Sequence, residues 1–289
     1  MTRGLALFVF AAALCAQQIG EITVEKLTGG LVFAEGPLWS MDDFLLFSDN
    51  VTGQMRKFTP GKGISEVNGP AGVSGSAYDT KGAFYFTQPR ERRVARLDQK
   101  GKMEIIAERF DGKRLNAPND VVVRRDGNLY FTDPAFGSQQ DSRELDFFGV
   151  FRVTPRGQVE AVARWKTRPN GIALSRNGRS LFVTDSDAQT VHAFDLAANG
   201  SAANDRVVVS GIAGAPGGIR LDENDNLFVA ARNVFVYSPK GDLIRTIELA
   251  ETPSNLAFGD ADLRTLYVTA RTSVYRVRVG VKGAVPYLP

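Results

Sequence analysis

The amino-acid sequence predicts an all-β fold, a six-bladed β-propeller of four-stranded antiparallel blades. One unit, made of an apolar strand, a polar turn and a second apolar strand, occurs six times along the chain. Its copies begin 39, 45, 51, 47 and 37 residues apart, a spacing typical of propeller blades. The 29 glycines and 19 phenylalanines among 289 residues also favour many short strands over long helices. An irregular β-sandwich is the alternative, and six copies in register argue against it.

Each copy supplies the first two strands of a predicted blade. The copies are EGPLWSMDDFLLFSD from Glu35, SGSAYDTKGAFYFTQ from Ser74, NDVVVRRDGNLYFTD from Asn119, NGIALSRNGRSLFVTD from Asn170, GGIRLDENDNLFVAA from Gly217 and SNLAFGDADLRTLYVTA from Ser254. A third strand such as QMRKFTP and a less regular fourth such as MEIIAERF complete most units. The amino-terminal strand at residues 22–27 is expected to close the ring by completing the last blade.

The first 16 residues are predicted to be a signal peptide. Arg3 is followed by an apolar run, ending at Ala16, that is too short to span a membrane as a mature helix. Cleavage there would start the mature chain near Gln17, in the periplasm or outside the cell. An uncleaved anchor and a lipid-modified Cys15 are the alternatives. Because Cys15 is the only cysteine, the cleaved chain would contain neither disulfides nor thiolate metal sites.

Residues 17–289 are predicted to form the propeller domain, since no linker or change in composition divides them. The net charge of +3 is too small and too evenly spread for a nucleic-acid-binding surface. We therefore expect no nucleic-acid partner. The chain is expected to be a monomer without stable membrane insertion once the leader has been removed.

The leading residues of the six copies form a candidate metal site. The first strand of each blade lines the channel of a propeller, so these residues should meet at one mouth. They are Glu35, Ser74, Asn119, Asn170, Gly217 and Ser254. Carboxylate, amide and hydroxyl oxygens bind hard divalent cations, and the set holds no sulfur or imidazole that would favour zinc or copper. Calcium is therefore the expected cofactor, although each asparagine taken alone is also a common turn residue.

Several segments resemble the gluconolactonase and senescence-marker-protein (regucalcin) family. They are AEGPLW at 34–39, RLNAPNDVVV at 114–123, LYFTDP at 129–134, RPNGIALS at 168–175, LFVTDS at 181–186 and LAFGDADLRTLYVTA at 256–270. The resemblance implies a calcium-dependent six-bladed propeller that hydrolyses sugar lactones, with relatives that include diisopropyl fluorophosphatase and, more distantly, paraoxonases and strictosidine synthase. It also implies that Glu35, Asn119 and Asn170 are three of the four protein ligands of a catalytic metal.

The fourth ligand position departs from the family pattern. Relatives typically have an aspartate where this chain has Gly217, and that aspartate is both a ligand and the proposed general base or nucleophile. Its absence should weaken calcium binding and remove the group that deprotonates the attacking water. Gly217→Asp is expected to restore both, at a cost of about 1 kcal/mol if Gly217 has a positive φ. Ser74 stands where many relatives have asparagine, and Pro89 where several have histidine.

Other polar residues are assigned mainly structural roles. His192, the only histidine, is predicted to be an ordinary strand residue, which leaves no Ser-His-Asp triad. Asp120 either orients a metal ligand or belongs to a turn. The cluster at residues 90–93 is predicted to be a solvated edge that discourages aggregation. Turn caps are expected at the ends of second strands, at Asp49, Asp133 and Asp185.

The expected activity is hydrolysis of a lactone or related ester by water at the metal. The loss of the aspartate at Gly217 instead favours a non-catalytic binding propeller, and a strictosidine synthase-like lyase is a third interpretation. Substrate choice should depend on loops over the mouth, such as residues 135–148.

Overall fold

The strands are grouped in six four-stranded antiparallel sheets, which confirms the predicted six-bladed propeller. The structure is a computed structural model that describes residues 19–98 and 100–288. The predicted leader at residues 1–16, and Gln17, lie outside the described residues. Within the described residues, no helix has the length and apolarity needed to cross a membrane.

The blades follow one another in chain order. Blade 1 contains β2 (Ala34–Trp39), β3 (Leu45–Asp49), β4 (Gln54–Thr59) and β5 (Gly63–Val67), after the amino-terminal strand β1 (Thr23–Thr28). Blade 2 contains β6 (Ser76–Tyr78), β7 (Phe84–Gln88), β8 (Arg93–Leu97) and β9 (Met103–Ala107), and a hairpin of β10 (Arg109–Phe110) and β11 (Lys113–Arg114) follows it. Blade 3 contains β12 (Val121–Val123), β13 (Leu129–Asp133), the 3-10 helix Gly137–Ser142, β14 (Phe148–Val153) and β15 (Val159–Trp165).

The second half of the chain repeats this arrangement. Blade 4 contains β16 (Pro169–Leu174), β17 (Ser180–Asp185), β18 (Thr190–Leu196) and β19 (Ala202–Val209). Blade 5 contains β20 (Ile219–Leu221), β21 (Leu227–Ala230), β22 (Val234–Tyr237) and β23 (Leu243–Ile247). Blade 6 contains β24 (Pro253–Gly259), β25 (Thr265–Ala270) and β26 (Ser273–Arg278).

The amino-terminal strand closes the ring as predicted. β1 pairs antiparallel with β26, with Thr23 opposite Arg278, and is thereby the outermost strand of blade 6. The first and last strands of the chain therefore belong to one sheet, which closes the ring of blades.

The core consists of apolar layers between neighbouring blades. Successive side chains of a strand point to opposite faces, so Tyr130 packs towards blade 4 while Phe131 packs towards blade 2. Six such clusters, one for each pair of adjacent blades, surround the channel. At the closing interface Trp39 stacks on Tyr267, with ring centroids 5.4 Å apart. Truncating a buried aromatic of this kind would cost about 3–5 kcal/mol.

The carboxy-terminal segment covers the channel at the end opposite the first residues of the inner strands. Ala284 donates its backbone N–H to Leu221, and the Tyr287 hydroxyl donates to the Trp39 carbonyl. Tyr287, Pro286 and inner-strand residues enclose only about 40 Å³ there. The other mouth, where the copies begin, is the one that loops can open to a substrate.

Candidate active site

The structure brings the six leading residues together as a ring of neighbours. A hydroxyl on the second strand of one blade donates to a backbone carbonyl at the entry to the next blade in four cases: Ser48 to Val73, Thr87 to Asn119, Thr132 to Asn170 and Thr184 to Gly217. Between blades 5 and 6, Gly218 N–H donates to Ser254. The Ser254 hydroxyl donates to Ala34 at 2.7 Å and completes the circle.

Glu35 is the only ionisable residue among the six ring positions, and Gly36 determines its placement. Gly36 has φ +56°, and a Cβ there would lie 1.9 Å from the Ser74 carbonyl oxygen, so only glycine fits. The Gly36 N–H and the Asn255 amide donate to Glu35 Oε2 at 3.0 and 3.4 Å. Burial, together with the charge of Asp120, raises the pKa of Glu35 to about 7, although those two hydrogen bonds and the charge of Arg220 act in the opposite direction. In the described residues, Glu35 Oε1 accepts no hydrogen bond.

Asn170 and Asn119 present amide groups at the same mouth. The Asn170 Nδ2 group donates to Ser186 at 3.0 Å, and Ser186 in turn donates to the Pro216 carbonyl. This leaves the carbonyl oxygen of the Asn170 amide as the atom available to a ligand. The Asn119 side chain makes no hydrogen bond with other described residues, while its backbone carbonyl is held by Gly75 and Thr87.

The two serines of the ring differ in role. The Ser254 hydroxyl hydrogen-bonds with Ala34 and Thr269, and it thereby links blade 6 to blade 1. Ser74 is 1 % exposed, and its hydroxyl finds no partner within the described chain. A buried hydroxyl without a partner is costly and indicates a bound water or ion next to it.

Gly217 offers no side chain to the ring and has little room for one. Its φ is not positive. The backbone strain that a positive φ would cause in a Gly217→Asp variant is therefore absent. A Cβ at this position would instead lie 2.3 Å from the Ser254 carbonyl oxygen. Glycine fits here because it lets the backbones of blades 5 and 6 come into contact, and not because the position needs an unusual backbone conformation.

Two polar residues that we did not predict lie next to the ring. Arg220, on the first strand of blade 5, places NH1 3.4 Å from Asp120 Oδ2, and Asn255 contacts Glu35. Asp120 is fully buried and also accepts the N–H groups of Val121 and Ile172. It therefore ties blade 3 to blades 4 and 5, and each of its oxygens accepts at least one hydrogen bond. The sequence signal for Arg220 was a charged residue between the two apolar residues of the strand IRL.

The donor set fits a hard divalent cation. Glu35 Oε1, the Asn170 amide oxygen, the Asn119 amide and the isolated Ser74 hydroxyl all lack partners at one mouth, and oxygen ligands of this kind suit calcium. No three His, Cys, Asp or Glu side chains converge in residues 19–98 and 100–288. A cation here would therefore be held by one carboxylate and neutral oxygens.

A cavity of about 300 Å³ opens beside Asn119. Its wall includes Asn50, Pro89, Arg90 and Ala117, and residues 136–139 of the long loop in blade 3. Part of the predicted substrate loop thus lines the pocket that contains Asn119. A larger groove of about 570 Å³ lies on the opposite face against the carboxy-terminal segment, and none of the six ring residues lines it.

The cluster at residues 90–93 is solvated only in part, because Arg90 and Glu91 are exposed whereas Arg92 is not. Arg92 is buried, with Nε donating to the Leu115 carbonyl at 2.6 Å and NH1 to the Ser142 carbonyl at 3.2 Å. Arg90 lines the cavity beside Asn119. The two arginines therefore hold and shape the loops around the mouth.

The remaining sequence-predicted residues take structural positions. The three second-strand aspartates anchor backbone N–H groups at the mouth: Asp49 accepts from Val32 and Phe33, Asp133 from Asn116 and Ala117, and Asp185 from Asp187 and Ala188. His192 lies on the third strand of blade 4, with Nδ1 2.7 Å from Asp205 Oδ1. It is remote from the channel, as an ordinary strand residue would be.

Comparison with known proteins assigns the chain to a family. The sequence model of the SMP-30/gluconolactonase/LRE-like region matches residues 33–272, from the first strand of blade 1 to the β25 strand of blade 6. The chain belongs to this family.

Its relatives include proteins named for related hydrolytic activities. A gluconolactonase of Zymomonas mobilis is 29 % identical over 293 aligned positions, covering 90 % of this chain and 82 % of that protein. Diisopropyl-fluorophosphatase of Loligo vulgaris is 26 % identical over 84 % of this chain and 87 % of its own length. The solved structure of a Xanthomonas campestris gluconolactonase is 27 % identical and superposes with a TM-score of 0.84, covering 92 % of each chain.

Proposed function

We propose that the protein is a calcium-dependent hydrolase that opens a lactone, or a related ester, at the ring of leading residues. The observation that carries this proposal is the convergence of Glu35, Asn119, Asn170 and the unpartnered Ser74 hydroxyl at one mouth. Family membership and gluconolactonase relatives that align over most of the chain support the same chemistry.

Glu35, Asn119, Asn170 and Ser74 would hold the calcium ion. Bound there, the ion would polarise the lactone carbonyl and stabilise the oxyanion. Asn119 lies where the cavity meets the ring, so it would orient the ester. The ion-paired and hydrogen-bonded Asp120 stays out of the reaction and keeps blades 3, 4 and 5 in register.

Glu35 would accept the proton of the attacking water. It is the one carboxylate among the six ring residues, and its Oε1 accepts no hydrogen bond among the described residues. The water oxygen bonds to the carbonyl carbon, the ring ester C–O bond breaks, and the proton passes to the departing alkoxide. Glu35 thereby takes over the base role that an aspartate at Gly217 has in the family pattern.

The test is hydrolysis of five- and six-membered sugar lactones followed by acid release at constant pH. We expect turnover that stops on chelation, returns with calcium and falls at least 10²-fold in Glu35→Gln. The Asp205→Asn variant, altered beside the remote His192, is the matched control and should keep parent activity. Calcium binding without turnover on any lactone would refute the hydrolase and indicate a binding propeller.

We also propose that the chain is exported with removal of residues 1–16. The short apolar leader and the position of Cys15 within it support this. Intact-mass analysis of exported protein should give a chain that begins near Gln17 and has no thiol. A mass that includes Met1 would contradict it.

A further inference from the structure

The cavity beside Asn119 has a charge pattern that bears on the substrate. It measures about 300 Å³, the small end of the range for ligand pockets, and would accept a molecule the size of a single sugar lactone. Arg90 is its one charged lining residue, and the other polar lining side chains are neutral. Asn119 marks the end of the cavity that meets the ring.

Arg90 carries an uncompensated charge in a fixed place. Its NH2 group donates to the Val51 carbonyl at 2.9 Å, which anchors the guanidinium on the loop of blade 1. In the described chain it makes no ion pair. The nearby arginines are committed elsewhere, since Arg92 is buried under the mouth loops and Arg93 donates to Gln88 at 2.7 Å.

An anchored guanidinium with free N–H donors matches carboxylate, sulfonate or phosphate oxygens better than it matches hydroxyl groups. A neutral lactone would offer this exposed guanidinium no charged partner. We propose that Arg90 determines the substrate class, and that the site takes lactones bearing an anionic substituent away from the ring ester. The proposal rests on the proposed function, because it places the ester at Asn119 and the anion at Arg90.

Binding of non-hydrolysable lactams tests this separately from turnover. The probes are D-glucono-1,5-lactam, the same lactam phosphorylated at carbon 6, and gluconate, each titrated by calorimetry into the calcium-loaded protein. We expect the phosphorylated lactam to bind about tenfold more tightly than the neutral one. Arg90→Gln should abolish that difference, and Arg90→Lys should retain part of it. Arg232→Gln is the matched control, an exposed arginine at the same mouth outside the cavity, and should keep the preference.

Other results would overturn or reassign the role of Arg90. Equal binding of the two lactams, no binding of either, or a preference that survives Arg90→Gln overturns the proposal. Gluconate binding as tightly as the phosphorylated lactam, and weakening in Arg90→Gln, would assign Arg90 to the product carboxylate instead. An Arg90-dependent preference in a protein that hydrolyses no lactone would uphold the anion site and refute only the hydrolase.

Discussion

Substitution of Gly217 tests the packing of the ring most sharply. A Cβ there would lie 2.3 Å from the Ser254 carbonyl oxygen, so the two inner strands must separate by roughly 1 Å to restore ordinary contact. Both strands are pinned, because Gly217 N–H donates to Ala230 at 2.7 Å and Gly218 N–H donates to Ser254 at 2.9 Å. Overpacking of about 1–3 kcal/mol plus about 1 kcal/mol for a lengthened hydrogen bond gives a loss of roughly 2–4 kcal/mol.

The assay compares thermal unfolding of the parent, Gly217→Ala and Gly217→Asp, with and without calcium. Gly217→Ala adds only the Cβ and should lower Tm by roughly 5–15 °C. Gly217→Asp should start equally low, and calcium should then raise its Tm more than that of the alanine variant, because the new carboxylate joins the ring. Its lactonase activity should rise by about 10²-fold only if a missing base limits the parent. A Gly217→Ala variant as stable as the parent would refute the close contact between Gly217 and the Ser254 carbonyl oxygen.

Three further outcomes are expected. Glu35→Gln should weaken calcium affinity at least tenfold and more than Asn119→Ala, because it removes the one formal charge of the ring; equal calorimetric affinities would contradict this. Burial raises the pKa of Asp133 to about 7, so the folded chain keeps a proton that the unfolded chain releases from about pH 4 upwards. The free energy of unfolding should therefore fall by up to about 1.4 kcal/mol per pH unit between about pH 4 and 7, and Asp133→Asn, measured by urea unfolding, should lack this component. Arg92→Met should cost about 2–4 kcal/mol and Arg93→Met about 1 kcal/mol or less in the same assay, whereas similar losses would mean that Arg92 does not hold the loops.

The fold was predictable because propeller blades repeat in sequence as well as in space. The turn and strand pattern from Glu35 recurs up to the copy at Ser254, and each copy supplies the two inner strands of its blade. The strand at residues 22–27 could be assigned to blade 6 because that blade lacked a fourth strand of its own. The repeating pattern and the number of strands in each repeat were enough to predict these features.

Features that depend on the distance between blades could not be predicted. The contact of Gly217 with Ser254 and the isolation of the Ser74 hydroxyl arise from how closely two inner strands approach. The burial of Arg92 depends on loops that fold over it from residues 115 and 142. No local pattern in the sequence encodes these approaches, although the six ring positions themselves followed from the repeats.

The position of a bound calcium ion tests the central claim most directly. A crystal of the protein grown with calcium and measured for anomalous scattering should show one ion at the mouth of the channel. We predict side-chain oxygens of Glu35, Asn119 and Asn170 about 2.3–2.6 Å from it, with the Ser74 hydroxyl completing the protein ligands. An empty mouth at saturating calcium, or an ion bound only elsewhere, would contradict the account.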